Sequence, residues 1–376
     1  MSLKTRMCGL FLFLLGVILS CCVTAERIWV STDLHIASNG EIQMEAYEML
    51  LRTPEAGDVL VLMGDLANSG HLEEHRTVIR GLDSIAGNVK VYVIPGNHDL
   101  SVEVPPENFA ALYHAYGYDS AVSSDPDSLS YAAVTSDGIC LLMLDTNVWD
   151  KERQAVLHGG VGESVIRWVA SVLEQLPGDM PVLVFGHHPL YPFEGTDTTA
   201  EAEKICRVLE TGNVLAYLCG HRHSNGTEAS GGLRQIMTGV PWSYPAYIGM
   251  IEQDREMWSY SAETLFDSGS ETFRSMRTAS AELAARMAAG SLEGTSFEDD
   301  PEAEVWFMQF FAAVLDGTLA ETAEVLRAEP GYEHWRHAEV RSAVKPWIIE
   351  MMEGTHEDYH KIKLGHAAGS SRDGND

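Results

Sequence analysis

Five short apolar runs in this chain, each the length of a β-strand, end in residues that bind metals or move protons. The run 27–30 is followed by Asp33-Leu34-His35, 59–63 by Gly64-Asp65-Leu66-Ala67-Asn68, and 89–94 by Gly96-Asn97-His98-Asp99. The run 182–185 leads into Gly186-His187-His188-Pro189, and 214–219 into Gly220-His221-Arg222-His223. One Asp or His at such a place commonly marks a turn or a helix cap. Five such ends together are not explained by turn chemistry. Of the 15 histidines in the chain, these motifs contain His35, His98, His187, His188, His221 and His223. The glycines let the backbone turn tightly while the next side chain points into a shared site.

Between the runs lie helical patterns. One follows Ser69, with Leu72, Ile79, Leu82 and Ile85 on one face; another covers 163–176 and stops at Pro177-Gly178. Further strands are expected at 139–144, 233–239 and 247–251, with a turn at Gly239-Val240-Pro241 on the edge of the site. The chain is therefore α/β, a class whose ligand sites gather at the carboxyl ends of strands. Its 376 residues suffice for one large domain or two ordinary ones. A net charge of −30 opposes general binding to nucleic-acid backbones.

This order of motifs resembles the calcineurin-like metallophosphoesterase family over about residues 27–245. The resemblance implies two mixed β-sheets packed face to face with flanking helices, a four-layer sandwich, and two metal ions about 3.5 Å apart. Carried over by position, the first metal takes Asp33, His35 and His223, and the second takes Asn97, His187 and His221. Asp65 bridges the two, and His98 corresponds to the family's catalytic histidine, which is not a ligand. A mixed carboxylate and imidazole shell suits divalent Fe, Mn, Zn or Co better than Ca or Mg. The implied reaction is hydrolysis of a phosphate ester by a metal-bridging hydroxide, with His98 protonating the leaving oxygen. Purple acid phosphatases carry Tyr where this chain has Asn68, so a ferric–tyrosinate centre is not expected. The Asp33-Leu34-His35 opening resembles the cyclic-nucleotide phosphodiesterase branch instead.

A rival reading is a non-catalytic surface lipoprotein that uses the same fold as a scaffold for a partner. It is disfavoured because no ligand position is lost. The substrate stays open among phosphomonoesters, cyclic nucleotides, nucleotide-sugar pyrophosphates and phospholipid head groups, and the sequence names no protein partner. His188 reads equally as a packed or a substrate-facing residue, and Arg222 as a phosphate contact or a solvated side chain. Asp99 reads as a residue that orients a ligand or caps a helix. His71 and His75, four apart, read as a solvated helix face. His334, His337, His356, His360 and His366 form no recognisable pattern.

The ends of the chain read differently. Lys4 and Arg6 precede an uncharged stretch, 7–25, that reads as a signal peptide. An uncleaved anchor is the alternative, although the run is at the short limit for spanning a bilayer. Ile18-Leu19-Ser20-Cys21 resembles a lipobox, which would leave Cys21 lipidated. Export is the shared expectation: periplasmic, secreted, or held at a membrane through Cys21 alone. Cys140, Cys206 and Cys219 are an odd set and read as buried thiols. The domains expected are the leader 1–25, a catalytic domain 26–265, and a helical region 266–376 whose tail from Gly369 is frayed. In that last region an acidic stretch, 297–304, begins a helix.

Overall fold

A computed structural model describes residues 26–190, 201–230, 232–254, 257–337, 345–353 and 359–366; the leader with Cys21, His356 and the tail from Gly369 lie outside them. In chain order the elements are β1 (Ile28–Ser31), α1 (Glu41–Arg52), β2 (Val59–Met63), α2 (Leu72–Asp83), β3 (Lys90–Ile94), α3 (Pro106–Leu112), β4 (Ser123–Ser124), β5 (Tyr131–Val134) and β6 (Cys140–Met143). They continue as β7 (Asn147–Asp150), β8 (Ala155–Gly159), α4 (Glu163–Gln175), β9 (Val182–Phe185), α5 (Ala202–Leu209), β10 (Val214–Cys219), β11 (Gly226–Ser230), β12 (Leu233–Met237), β13 (Tyr247–Asp254) and β14 (Met257–Thr264). The helices α6 (Glu271–Leu292), α7 (Pro301–Leu315), α8 (Leu319–Ala328), α9 (Pro330–His337) and α10 (Lys345–Glu353) come next, then β15 (Lys361–His366).

The strands form two large mixed sheets. The first runs β15-β14-β13-β1-β2-β3, and the second β11-β12-β10-β9-β6-β5-β4. Residues alternate along each strand, so a strand covered on both faces must be apolar throughout. In β2, Val59, Val61 and Met63 enter the layer between the sheets with Leu141, Leu183, Phe185 and Leu218. Its alternate residues Leu60 and Leu62 face the other way, against Tyr47 and Leu50 of α1 and Val78 and Leu82 of α2. On the outer side of the second sheet, Val165 and Val169 of α4 and Ile205 and Leu209 of α5 close the fourth layer. Each such aliphatic side chain contributes about 1.5–3 kcal/mol by burial. The four-layer architecture is the one expected.

Parallel pairing decides where the loops go. β1, β2 and β3 are mutually parallel, so their carboxyl ends lie at one edge of the first sheet. β9 and β10 are parallel in the second sheet, and their carboxyl ends share an edge in the same way. Cys140, Cys206 and Cys219 are buried, as expected. The helical region has a core of its own, in which Trp306 stacks on Phe310 at 11° and on Tyr332 at 22°. The chain then returns to the first sheet, because β15 pairs antiparallel with β14. This strand departs from the helical expectation for 266–376: Lys361 and Lys363 alternate with Ile362 and Leu364, which pack into the layer between the sheets.

One histidine departs from the sequence reading. His71 is exposed, but His75 is fully buried and does not lie on a solvated face. The reason is its spacing: His75, Val78 and Leu82 form the buried stripe of α2. A buried imidazole needs polar partners. Nε2 donates to the Asp99 carbonyl at 2.9 Å, which leaves Nδ1 to accept from the Tyr113 hydroxyl at 2.9 Å. Burial pushes the His75 pKa down from 6.5 to about 4. The unfolded chain therefore takes up a proton that the folded chain refuses. Stability is intact above pH 6.5 and falls as the pH drops toward 4. From pH 7 to pH 5 this one group should remove about 2 kcal/mol. Urea unfolding at both pH values tests it: His75→Gln, which cannot titrate, should lose about that much less than wild type.

Candidate metal centre

The backbone carries the first sign of a site. Among the described residues, eight non-glycine residues have positive φ, and five of them are Asp33, His35, Asp65, His221 and His223. This region is unfavourable for L-residues, about 1–3 kcal/mol each, and is retained where surrounding structure enforces it. Two successive kinks, one at Asp33 and one at His35, bring both side chains inward around buried Leu34; His221 and His223 repeat the arrangement around Arg222. The β1 and β2 loops run side by side, with Asp33 N donating to Gly64 O and His35 N to Asp65 O, both at 2.9 Å. Gly96 and Gly220 are required by closeness. A Cβ at Gly96 would overlap Asp65 Oδ1, and one at Gly220 would overlap Thr32 Oγ1 and Asp33 Oδ2.

The two sheets meet through these side chains. His221 N donates to Asp33 Oδ2 at 2.9 Å, and His187 Nδ1 donates to the Met63 carbonyl at 2.9 Å. That second bond turns His187 Nε2 into the site, 3.3 Å from Asp65 Oδ2 and 3.1 Å from Asn97 Oδ1. There it can carry a proton or, when neutral, offer its lone pair to a cation. His221 Nδ1 is 3.0 Å from the same Asn97 oxygen. On the other side, His35 Nε2 and His223 Nε2 are 3.0 Å apart, and they lie 3.8 and 3.3 Å from Asp33 Oδ1. His35 Nε2 is also 3.7 Å from Asp65 Oδ2. Asp65 thus faces both groups.

Asp33 and Asp65 are buried carboxylates. Burial opposes their ionisation, but the neighbouring histidines overcome it: His223 and His187 hold Asp33 well below the usual carboxylate range, and His187 lowers Asp65. Burial lowers His187 as well, yet Asp65 and Asp33 lift it to about 9. Two buried negative charges call for positive charge beside them. A proton on His187 supplies one; a divalent cation supplies more.

The donors fit such cations. Asp33 Oδ1 is buried and makes no hydrogen bond. One ligand atom from each of Asp33, His35 and His223 lies within 4.8 Å of the others, and Asp33, Asp65 and His187 form a second such set. Imidazole and carboxylate donors together suit first-row transition ions.

The remaining candidates divide clearly. His98 is exposed, its N–H donates to Asp65 Oδ1 at 2.8 Å, and its Nδ1 donates to the Asn68 carbonyl at 2.7 Å. Its ring stands edge-on to His35 with centroids 4.8 Å apart. Asp99 is buried, accepting from Gly96 N and Ala67 N at 2.8 Å each, and it orients the two loops. Burial, then Asp65, raises its pKa to about 7. His188 is buried beside His221, with ring centroids 4.4 Å apart and its Nδ1 2.9 Å from Thr146 Oγ1, and it has a donor atom within 4.8 Å of those of His187 and His221. Arg222 is half-buried.

Sequence reasoning missed two residues at the site. Thr146 follows β6, and its hydroxyl accepts from the N–H of His187 and of His188. Trp242 follows β12, and its indole N–H donates to the Asp33 carbonyl at 2.8 Å. Both stand beyond strand ends, which was the available signal, but neither is a ligand type.

The family profile described as calcineurin-like phosphoesterase matches residues 26–225. The chain belongs to that family. A calcineurin-like phosphoesterase hydrolyses phosphoester bonds, so the chain is a hydrolase of that class. Among curated relatives of this calcineurin-like chain is a probable glycerophosphodiester phosphodiesterase GpdQ from Arcobacter nitrofigilis, 26% identical over 212 residues, 52% of this chain and 71% of the relative. The glycerophosphodiester phosphodiesterase GpdQ of Enterobacter lignolyticus is 25% identical over 45% of this chain, which spans 57% of that protein's length. In fold, the calcineurin-like domain is similar to a dimetal phosphatase from Danio rerio, with a TM-score of 0.50 and 16% identity, over 65% of this chain and 98% of that one.

Proposed function

We propose that this chain is an exported, binuclear metal-dependent phosphodiesterase. The observation that carries this reading is the facing of two ligand groups across Asp65: Asp33, His35 and His223 on one side, and Asn97, His187 and His221 on the other. Two divalent cations at such a centre provide Lewis acidity and a water acidic enough to act near neutral pH. The chain's own contribution is positional. Asp65 faces both groups, Met63 O fixes the tautomer of His187, and Asn68 O aims His98. With Nδ1–H held by that carbonyl, only the doubly protonated ring has an Nε2–H to give; it would pass that proton to the departing alkoxide and return to the neutral Nδ1–H form. Phosphodiesters are favoured over monoesters because both GpdQ relatives are described as phosphodiesterases.

Chelation tests the reading directly. Protein stripped of metal should lose hydrolysis of bis(p-nitrophenyl) phosphate. Mn, Fe, Zn or Co should restore it, Ca should not, and p-nitrophenyl phosphate should be the poorer substrate. Full turnover by protein shown to be metal-free would overturn the proposal. Export rests on the sequence 1–25 and is read from the mass of native protein. A start at Glu26 means cleavage, and a lipid-bearing Cys21 means anchoring. A soluble chain that retains Met1 would reject both.

A further inference from the structure

The segment after β12 places an indole beside one ligand group. Trp242 is half-buried and donates its N–H to the Asp33 carbonyl at 2.8 Å. Its ring stands nearly perpendicular to the rings of His35 and His223, at centroid distances of 6.2 and 5.9 Å. Asp33 sits at φ +52, a conformation that needs holding. Its N–H is tied to Gly64 O on one side, and its carbonyl is tied to Trp242 on the other. Asn97 and His187 are held by different means: they contact each other, and His187 is fixed by Met63. Trp242 and Tyr244 both pack on the outer core of the first sheet, and Tyr244 meets Phe273 of α6 at 5.1 Å. The helical region therefore buttresses the segment that carries the indole.

We propose that Trp242 is a positioning residue for the cation held by Asp33, His35 and His223, and that it acts on this site and not on its neighbour. The inference rests on the metal reading above. Partners one step behind a metal ligand typically contribute about 10–100-fold in affinity. The indole does so in two ways: its N–H fixes the backbone of one ligand, and its ring limits the rotation of two others.

Calorimetric titration of the metal-free full chain with Mn(II) alone tests the proposal. Wild type should show two sites. In Trp242→Phe one site should weaken by about 10–100-fold while the other stays within about threefold. Trp242→His, which keeps a ring N–H, should recover part of the loss. Trp168→Phe is the control, because it also loses an indole hydrogen bond, to Ser123 Oγ at 3.0 Å, but from α4. It should leave both sites unchanged. A merely structural role for Trp242 would lower the melting temperature without separating the two sites. That result, or a Trp242→Phe titration that superimposes on wild type, overturns this inference alone. A wild-type chain that takes up no Mn(II) overturns the metal reading and this inference together.

Discussion

Asp65→Asn should give a folded chain that retains less than one metal ion and has almost no activity. The substitution keeps an oxygen able to accept from His98 N, so the local backbone bond survives. It removes the negative charge that stands 3.3 Å from His187 Nε2 and 3.7 Å from His35 Nε2. Both ligand groups lose the same partner, so metal and activity should fall together. Loss of one electrostatic contact at a reacting centre reduces turnover by about 10²–10³-fold, and loss of a shared ligand should exceed that. Metal analysis beside kinetics of bis(p-nitrophenyl) phosphate decides the matter. Two ions retained with a small loss of turnover would remove Asp65 from the bridging role.

His98→Ala should separate metal binding from catalysis. The His98 ring is oriented by the Asn68 carbonyl, and the residue touches Asp65 through its backbone N–H, which alanine retains. Both ions should therefore stay. A general acid contributes about 10²–10⁴-fold, most where the leaving group is a poor one. The loss should be large for an alkyl phosphodiester and much smaller for a nitrophenyl ester, whose leaving oxygen needs little protonation. Equal losses on the two substrates would assign His98 to the phosphoryl oxygens instead. Loss of metal would mean that the grouping around Asn97 is wrong.

Much of the candidate site was legible because its signals are local. A run such as 59–63, apolar at every position, can be a strand covered on both faces, and the glycine and Asp that follow mark its carboxyl end. Each of the seven proposed ligands stands within five residues of such an end. His75 departs from the sequence expectation for a related reason. The periodicity of α2 places it on the buried stripe, but the partners that permit burial, Tyr113 and the Asp99 carbonyl, come from other loops.

What the sequence alone determined was the list of donors, the α/β class, and the alternation that places each donor at a strand end. The tertiary structure decided what no local pattern encodes. Stacking two sheets brought His187 and His221 against Asn97 and Asp33, across gaps of 90 and 188 residues. It also placed Thr146 under the His187 turn, laid Trp242 on the carbonyl of Asp33, and drew β15 back to β14. Those contacts depend on packing between distant segments. A hydroxyl or an indole gains its role only when another strand supplies the group it holds.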